Sequence, residues 1–138
     1  GAAQEDDWME DEGAYLRSME FASCTMTFSY DAQKQNPTLE MLSIDMDGLE
    51  GPRCVRIGDT LSSVISRFRN GEGDYRCTRE EYQLYGDGEN APYGLAEYGD
   101  DATAGLWYAA KLEDGRTVVL SMSFEQMYLS DITLYVDN

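Results

Sequence analysis

Leu106-Trp107-Tyr108-Ala109-Ala110-Lys111-Leu112-Glu113-Asp114-Gly115-Arg116-Thr117-Val118-Val119-Leu120-Ser121-Met122-Ser123-Phe124 decides the fold. Leu106, Tyr108, Ala110 and Leu112 fall at every second position, and so do Val118, Leu120, Met122 and Phe124. A period of two marks strands with one buried face, because successive side chains point to opposite sides of a pleated backbone. Asp114-Gly115 supplies the turn between them. Glu125 to Leu129 connects to a third strand, in which Ile132, Leu134 and Val136 share a face. The last third of the chain is therefore a three-strand antiparallel meander.

The same alternation appears upstream. Ala22, Cys24, Met26, Phe28 and Tyr30 alternate with Ser23, Thr25, Thr27 and Ser29, and Tyr15 to Phe21 can extend this strand. A polar loop from Asp31 to Pro37 leads to Leu42, Ile44 and Met46, and Asp47-Gly48 closes the hairpin. Thr25 to Met46 echoes Val119 to Val136 in order and character; the two are either half-repeats or two similar hairpins.

One helix lies between these regions. From Asp59 to Asn70, Leu61, Val64, Ile65 and Phe68 form a single apolar stripe. Asp59 or Thr60 can accept from the free N–H groups of the first turn. Arg67 and Arg69 sit where the helix dipole favours cations, and Gly71 suits a left-handed cap. Beyond it, Tyr75–Arg79 and Tyr82–Tyr85 read as short strands. Gly86 to Gly94 reads as a loop, and Tyr98 to Gly105 as a turn region. The expected fold is α+β: one short helix packed on an antiparallel sheet of about five to seven strands. The helix stripe should meet Met26, Phe28, Leu120, Met122, Ile132 and Leu134.

The 138 residues fit one domain. Residues 1–13 read as a disordered acidic leader and 14–138 as the domain, with an N-terminal hairpin over 14–49 and helix plus sheet over 53–138. Glu5, Asp6, Asp7, Glu10, Asp11 and Glu12 repel one another, while Trp8 and Met9 are the members able to pack back. Such a leader is either a tether from a removed lipid anchor or a remnant of trimming. The net charge is −17, with 27 acids against 10 bases and no His. That balance argues against nucleic-acid partners, which need a basic footprint. The missing His excludes His-based triads and most zinc sites. No apolar run reaches the length of a spanning helix.

The bases are unevenly placed. Residues 53–79 hold six Arg and carry +3, and the remainder carries −20. This is either a basic patch on an acidic body or local pairing of Arg with neighbouring acids. Cys24 reads as a buried strand residue. Cys54 and Cys77 flank the helix and can form a bridge or remain thiols.

Val55-Arg56-Ile57-Gly58-Asp59-Thr60-Leu61-Ser62-Ser63-Val64-Ile65-Ser66-Arg67-Phe68 runs from an apolar residue through Gly-Asp-Thr into a short helix with a central Val. It resembles the opening of β-lactamase-inhibitor-protein-like domains and SmpA/OmlA-type lipoproteins. The resemblance implies a helix followed by antiparallel strands, on a secreted or lipid-anchored bacterial protein. It implies no catalytic residues. The Gly-x-Pro that often follows the helix in these families is replaced by Arg69-Asn70-Gly71-Glu72-Gly73.

The residues themselves support little chemistry. Glu80-Glu81, Asp100-Asp101, Asp87 with Glu89, and Asp45 with Asp47 and Glu50 are the carboxylate pairs. Glycosidase chemistry needs such groups across a cleft, and adjacent strand residues face opposite ways. Asp45–Glu50 and Asp87–Asn90 offer oxygen ligands beside glycines without the calcium-loop spacing. Ten tyrosines include Tyr75, Tyr82, Tyr85, Tyr93 and Tyr98 within one turn-rich stretch. They form either a binding face or ordinary strand packing. The expectation is a non-enzymatic extracytoplasmic binding module with a protein partner and no cofactor or metal. An inhibitor of a secreted hydrolase and a carbohydrate-binding or carbohydrate-acting domain are the alternatives.

Overall fold

A computed structural model describes residues 3–68, 81–85 and 93–137. Nine strands are described: β1 (Glu5–Asp11), β2 (Ala14–Glu20), β3 (Thr25–Tyr30), β4 (Thr38–Ile44), β5 (Glu81–Tyr85), β6 (Tyr93–Tyr98), β7 (Ala104–Lys111), β8 (Thr117–Glu125) and β9 (Tyr128–Asp137). A 3-10 turn (Pro52–Cys54) and helix α1 (Leu61–Phe68) separate β4 from β5. All strands join one antiparallel sheet in the order β1-β2-β3-β4-β9-β8-β7-β6-β5.

The α+β class holds, but the sheet is wider than five to seven strands. Three readings account for the excess. The acidic stretch expected as a disordered leader is β1, paired with β2 from Glu5↔Glu20 to Asp11↔Ala14. Its turn is Glu12-Gly13, with positive φ at both residues, the geometry that matches strand twist in a two-residue hairpin. Arg17 offsets part of the repulsion by binding both oxygens of Asp6 at 2.7 and 2.5 Å. Second, Ala14–Glu20 does not extend β3. A tight turn intervenes, in which the Phe21 amide donates to the Cys24 carbonyl. Third, Tyr93–Tyr98 is a strand where a loop was expected to run to Gly94.

Two meanders, β1–β4 and β5–β9, meet at the β4–β9 seam. There Ile44 lies directly opposite Ile132, and Leu42 opposite Leu134. The segments that echo one another in sequence are thus brought side by side, their last strands running antiparallel. The N-terminal strands and the helix-plus-sheet region share one sheet and one core.

Alternation assigns the two faces. Leu106, Met122 and Ile132 occupy one row and Leu120 and Leu134 the next, all under α1. Leu61, Val64 and Phe68 bury into this face, and the Phe68 ring lies 5.1 Å from that of Tyr108. Ile65 is half-buried at the edge of the cluster. Leu120, Met122 and Ile132 share one buried cluster with the helix residues, and Met26 and Leu134 pack against that cluster. Phe28 is half-buried but outside this cluster, because β3 carries it away from the helix along the sheet. Ala96, almost fully covered, leaves space on β6 beneath the helix. The opposite face is rich in hydroxyls. On it Ser43 lies opposite Thr133, and Thr133 donates to Asp131 at 2.9 Å. The Trp107 ring folds over bare Gly105, where a Cβ would come within 2.5 Å of it.

Arg side chains bind the helix to the segment before it. Arg53 donates to the Arg67 carbonyl at 2.6 Å and stacks 5.1 Å from the Phe68 ring. Arg67 reaches the Cys54 carbonyl and Asp59. Arg56 faces Asp47 and Glu50 at 3.6 and 4.0 Å. Two of the six Arg of this region, Arg56 and Arg67, are therefore paired with neighbouring acids, while Arg53 binds a carbonyl and an aromatic ring. Arg69, Arg76 and Arg79, with Gly71, lie outside the described residues.

Truncating the seam should show how strongly it joins the meanders. Ile44→Ala is expected to cost about 2–5 kcal/mol in urea unfolding, from lost burial plus a cavity. Met41→Ala, on the same strand but exposed, should cost less than about 1 kcal/mol.

Candidate functional site

A cleft of about 670 Å³ opens where α1 meets the turn between β8 and β9. One wall is the helix, through Thr60, Leu61, Ser62, Ile65 and Ser66. The other is Tyr98 at the end of β6, with Gln126, Met127 and Tyr128. All nine residues are uncharged, in a chain of net charge −17.

Backbone hydrogen bonds fix both walls. The Gly58 amide donates to the Leu129 carbonyl and the Leu129 amide to the Asp59 carbonyl, both at 2.8 Å. The Leu61 amide donates to the Met127 carbonyl at 2.9 Å. Residues 58–61 thus pair with residues 127–129 like a short strand before turning into the helix. Thr60 then caps the helix, its hydroxyl accepting from the Ser63 amide at 3.3 Å. Asp59, the other candidate cap, instead accepts from the Arg56 amide and Arg67.

The turn itself is strained. Gln126 and Met127 have φ of 51 and 66. This left-handed region usually takes Asn or Gly, because a Cβ crowds the neighbouring carbonyl. Met127 is held there by its packing on the core and by its amide, which donates to Ala102. The strain leaves Tyr128, 55% exposed, beside Tyr98, 36% exposed.

Of the tyrosines singled out in the sequence, only Tyr98 is described as lining this cleft. Tyr82 and Tyr85 lie on β5 and Tyr93 on β6, so four of the five share two neighbouring strands at one end of the sheet. Tyr75 lies outside the described residues. So does Cys77, the suggested bridge partner of Cys54; Cys54 is an exposed free thiol and Cys24 a buried one. Tyr128 and the hydroxyls of Ser62 and Ser66 were missed. Tyr128 read only as part of a connection, although a lone ring directly after a two-residue turn was a usable signal.

A second constellation lies at the opposite end of the sheet. Trp8 packs against Tyr30 at 4.7 Å and Tyr15 at 6.4 Å between ring centroids. Lys34 Nζ sits 4.8 Å from the Trp8 centroid and 4.9 Å from that of Tyr15. Its loop is held by Asp31, which accepts from the Gln33 and Gln35 amides and from the Asn36 side chain. The Gln35 amide is the main cause that holds the Asp31 carboxyl below its ordinary value. Asp6 is likewise lowered, chiefly by its hydrogen bond with Arg17.

Among the described residues, no three of His, Cys, Asp and Glu converge as metal ligands. No helix among them is long and apolar enough to cross a membrane. Comparison with known protein families, curated proteins and solved structures finds no match.

Two variants probe these sites. Gln126→Val is expected to destabilise by about 1–2 kcal/mol in urea unfolding and Gln126→Asn to stabilise slightly, since left-handed backbone penalises β-branching most. Asp31→Ala should lower the melting temperature at neutral pH. A carboxyl with a depressed folded-state pKa stabilises above its ordinary value of about 3.8 and loses that contribution as pH falls through the folded value. The difference between the two proteins should therefore close on acidification.

Proposed function

We propose that this chain is a non-enzymatic binding module working outside the cytoplasm, at a bacterial cell envelope. It grips a neutral, partly apolar segment of a protein partner in the cleft between α1 and the β8–β9 turn. The observation that carries the reading is the uncharged lining of that cleft in so acidic a chain. A charged substrate would be met there by no counter-charge among the described lining residues. An apolar side chain would gain from Ile65, Met127 and the rings of Tyr98 and Tyr128, and the hydroxyls at the rim could orient its backbone. Exposed tyrosines give large contact area at low entropic cost. The resemblance of residues 55–68 to β-lactamase-inhibitor-protein-like domains supports the location and the protein partner. The same segment builds the helix wall of the cleft.

Inhibition of a secreted hydrolase is a special case of this reading, in which the partner is the enzyme and Tyr98 belongs to the contact face. A carbohydrate-acting domain asks for carboxylates flanking a cleft. The described walls offer hydroxyls, an amide, a thioether and rings instead.

Site-specific photocrosslinking in cells tests the proposal. A crosslinker at Tyr128 should capture an envelope protein, and one at Met41 on the back face should not. Ser66→Trp, which fills the cleft, should reduce capture about tenfold, and Tyr128→Ala should weaken binding by about 1–2 kcal/mol. Capture of cytosolic proteins alone would overturn the envelope reading. Inhibition of β-lactamases or secreted proteases at micromolar concentration would select the inhibitor form.

A further inference from the structure

We propose that Trp8, Tyr15 and Tyr30 form a binding site for a quaternary ammonium group, which Lys34 occupies as a tethered stand-in. The site is distinct from the cleft and lies at the other end of the sheet. Three strands build it. Register puts Trp8 of β1 opposite Arg17 of β2, and Tyr15 of β2 opposite both Glu10 of β1 and Tyr30 of β3. Side chains opposite one another share a face, so the three rings converge on one side of the sheet. Trp8 stands nearly perpendicular to Tyr15, at 77°, and is tilted 51° to Tyr30. Such an arrangement presents negative ring faces from more than one direction.

Two cations already lie on the Trp8 ring: Arg17, whose Cζ is 5.1 Å from its centroid and which Asp6 fixes in place, and Lys34, which is free to leave. Lys34 Nζ lies within 5 Å of two ring centroids, the range in which a cation is attracted by the ring quadrupole. Among the described residues, no hydrogen bond or ion pair accompanies those two contacts. Of the nearby carboxylates, Asp6 binds Arg17 and Asp31 binds its own loop, while Glu10 stands exposed on β1 opposite Tyr15. A primary ammonium carries three donors and is served poorly by such a place. A trimethylammonium group donates nothing, spreads its charge over methyl surfaces and needs ring faces alone. The chemistry of the walls therefore fits the quaternary cation better than the lysine that fills it.

Charge and access agree. β1 presents Glu5, Asp6, Asp7, Glu10 and Asp11, all exposed, so the field around the cage favours cations. Trp8 is 40% exposed, and Lys34 lies in an exposed loop from which its side chain can swing into water. The ligand is either a free quaternary ammonium compound or a lipid headgroup that carries one.

Choline is the probe, followed by the Trp8 indole resonance in NMR titration. Its uncharged isostere, 3,3-dimethylbutan-1-ol, is the control. Lys34→Ala should bind choline several-fold more tightly than the wild-type chain, because a tethered competitor acts at millimolar effective concentration. The isostere should bind Lys34→Ala at least about tenfold more weakly than choline does. Tyr15→Leu and Trp8→Leu, each in the Lys34→Ala background, should lose binding. Tyr15→Leu serves if loss of Trp8 frees β1. Co-sedimentation of Lys34→Ala with phosphatidylcholine vesicles, and not with phosphatidylethanolamine vesicles, would assign the headgroup; choline binding without it would assign a free compound. The proposal falls if choline leaves the Trp8 resonance of Lys34→Ala unmoved. It also falls if the isostere binds equally well or if Tyr15→Leu binds as its parent does.

Discussion

The short backbone pairing of residues 58–61 with residues 127–129 is the constraint on which the architecture rests. An isolated helix of eight residues is not stable in water, because nucleation costs more than so few hydrogen bonds return. α1 exists because its first turn is held against the sheet before the helix begins. That anchoring presents Leu61, Val64 and Phe68 to Leu106, Met122 and Phe124. It also demands the left-handed turn at Gln126 and Met127, since the carbonyl of Met127 must meet the Leu61 amide. Strain in the turn, placement of the helix and exposure of Tyr128 are one arrangement seen from three sides.

The seam between β4 and β9 is the second organising contact. Each meander alone would expose an apolar face, since a single helix cannot cover four or five strands. Pairing Ile44 with Ile132 lets one core run beneath both, from Met26 on β3 to Ala96 on β6. The helix covers the β6–β9 side, so the outer strands β1–β3 fill their share of that face differently. There Trp8, Tyr15 and Tyr30 cover one another, with Arg17 and Lys34 laid over Trp8. Aromatic packing at one end and helix packing at the other are alternative ways to finish the same face.

Much of this was legible in the residues. The meander β7–β9, the helix and the β3–β4 hairpin follow from period and turn chemistry, which are local properties. β1 was not legible because five acids in seven residues resemble a solvated tail. What keeps them in a strand is the Arg17–Asp6 pair and the tilted packing of Trp8 on Tyr30, contacts set by register. β6 was hidden because Gly94 and Ala96, which occupy its helix-side positions, carry almost no hydrophobic signal. The cleft was invisible for another reason. Its walls come from residues 60–66, 98 and 126–128, which only the helix anchoring brings together.

An open sheet has two outer strands whose unpaired amides and carbonyls can recruit another chain. At the β1 end the protection is electrostatic: seven exposed residues, five of them acids, face any approaching copy with like charge. That guard belongs to neutral pH. The isoelectric point lies near 4.1, where mutual repulsion between copies vanishes. Asp6, whose carboxyl the hydrogen bond with Arg17 holds below its ordinary value, is already neutralised by its partner. In acid the outer strand therefore loses its defence while its ladder remains ready to pair, and sheet-to-sheet self-association, rather than simple unfolding, becomes the characteristic hazard of this fold.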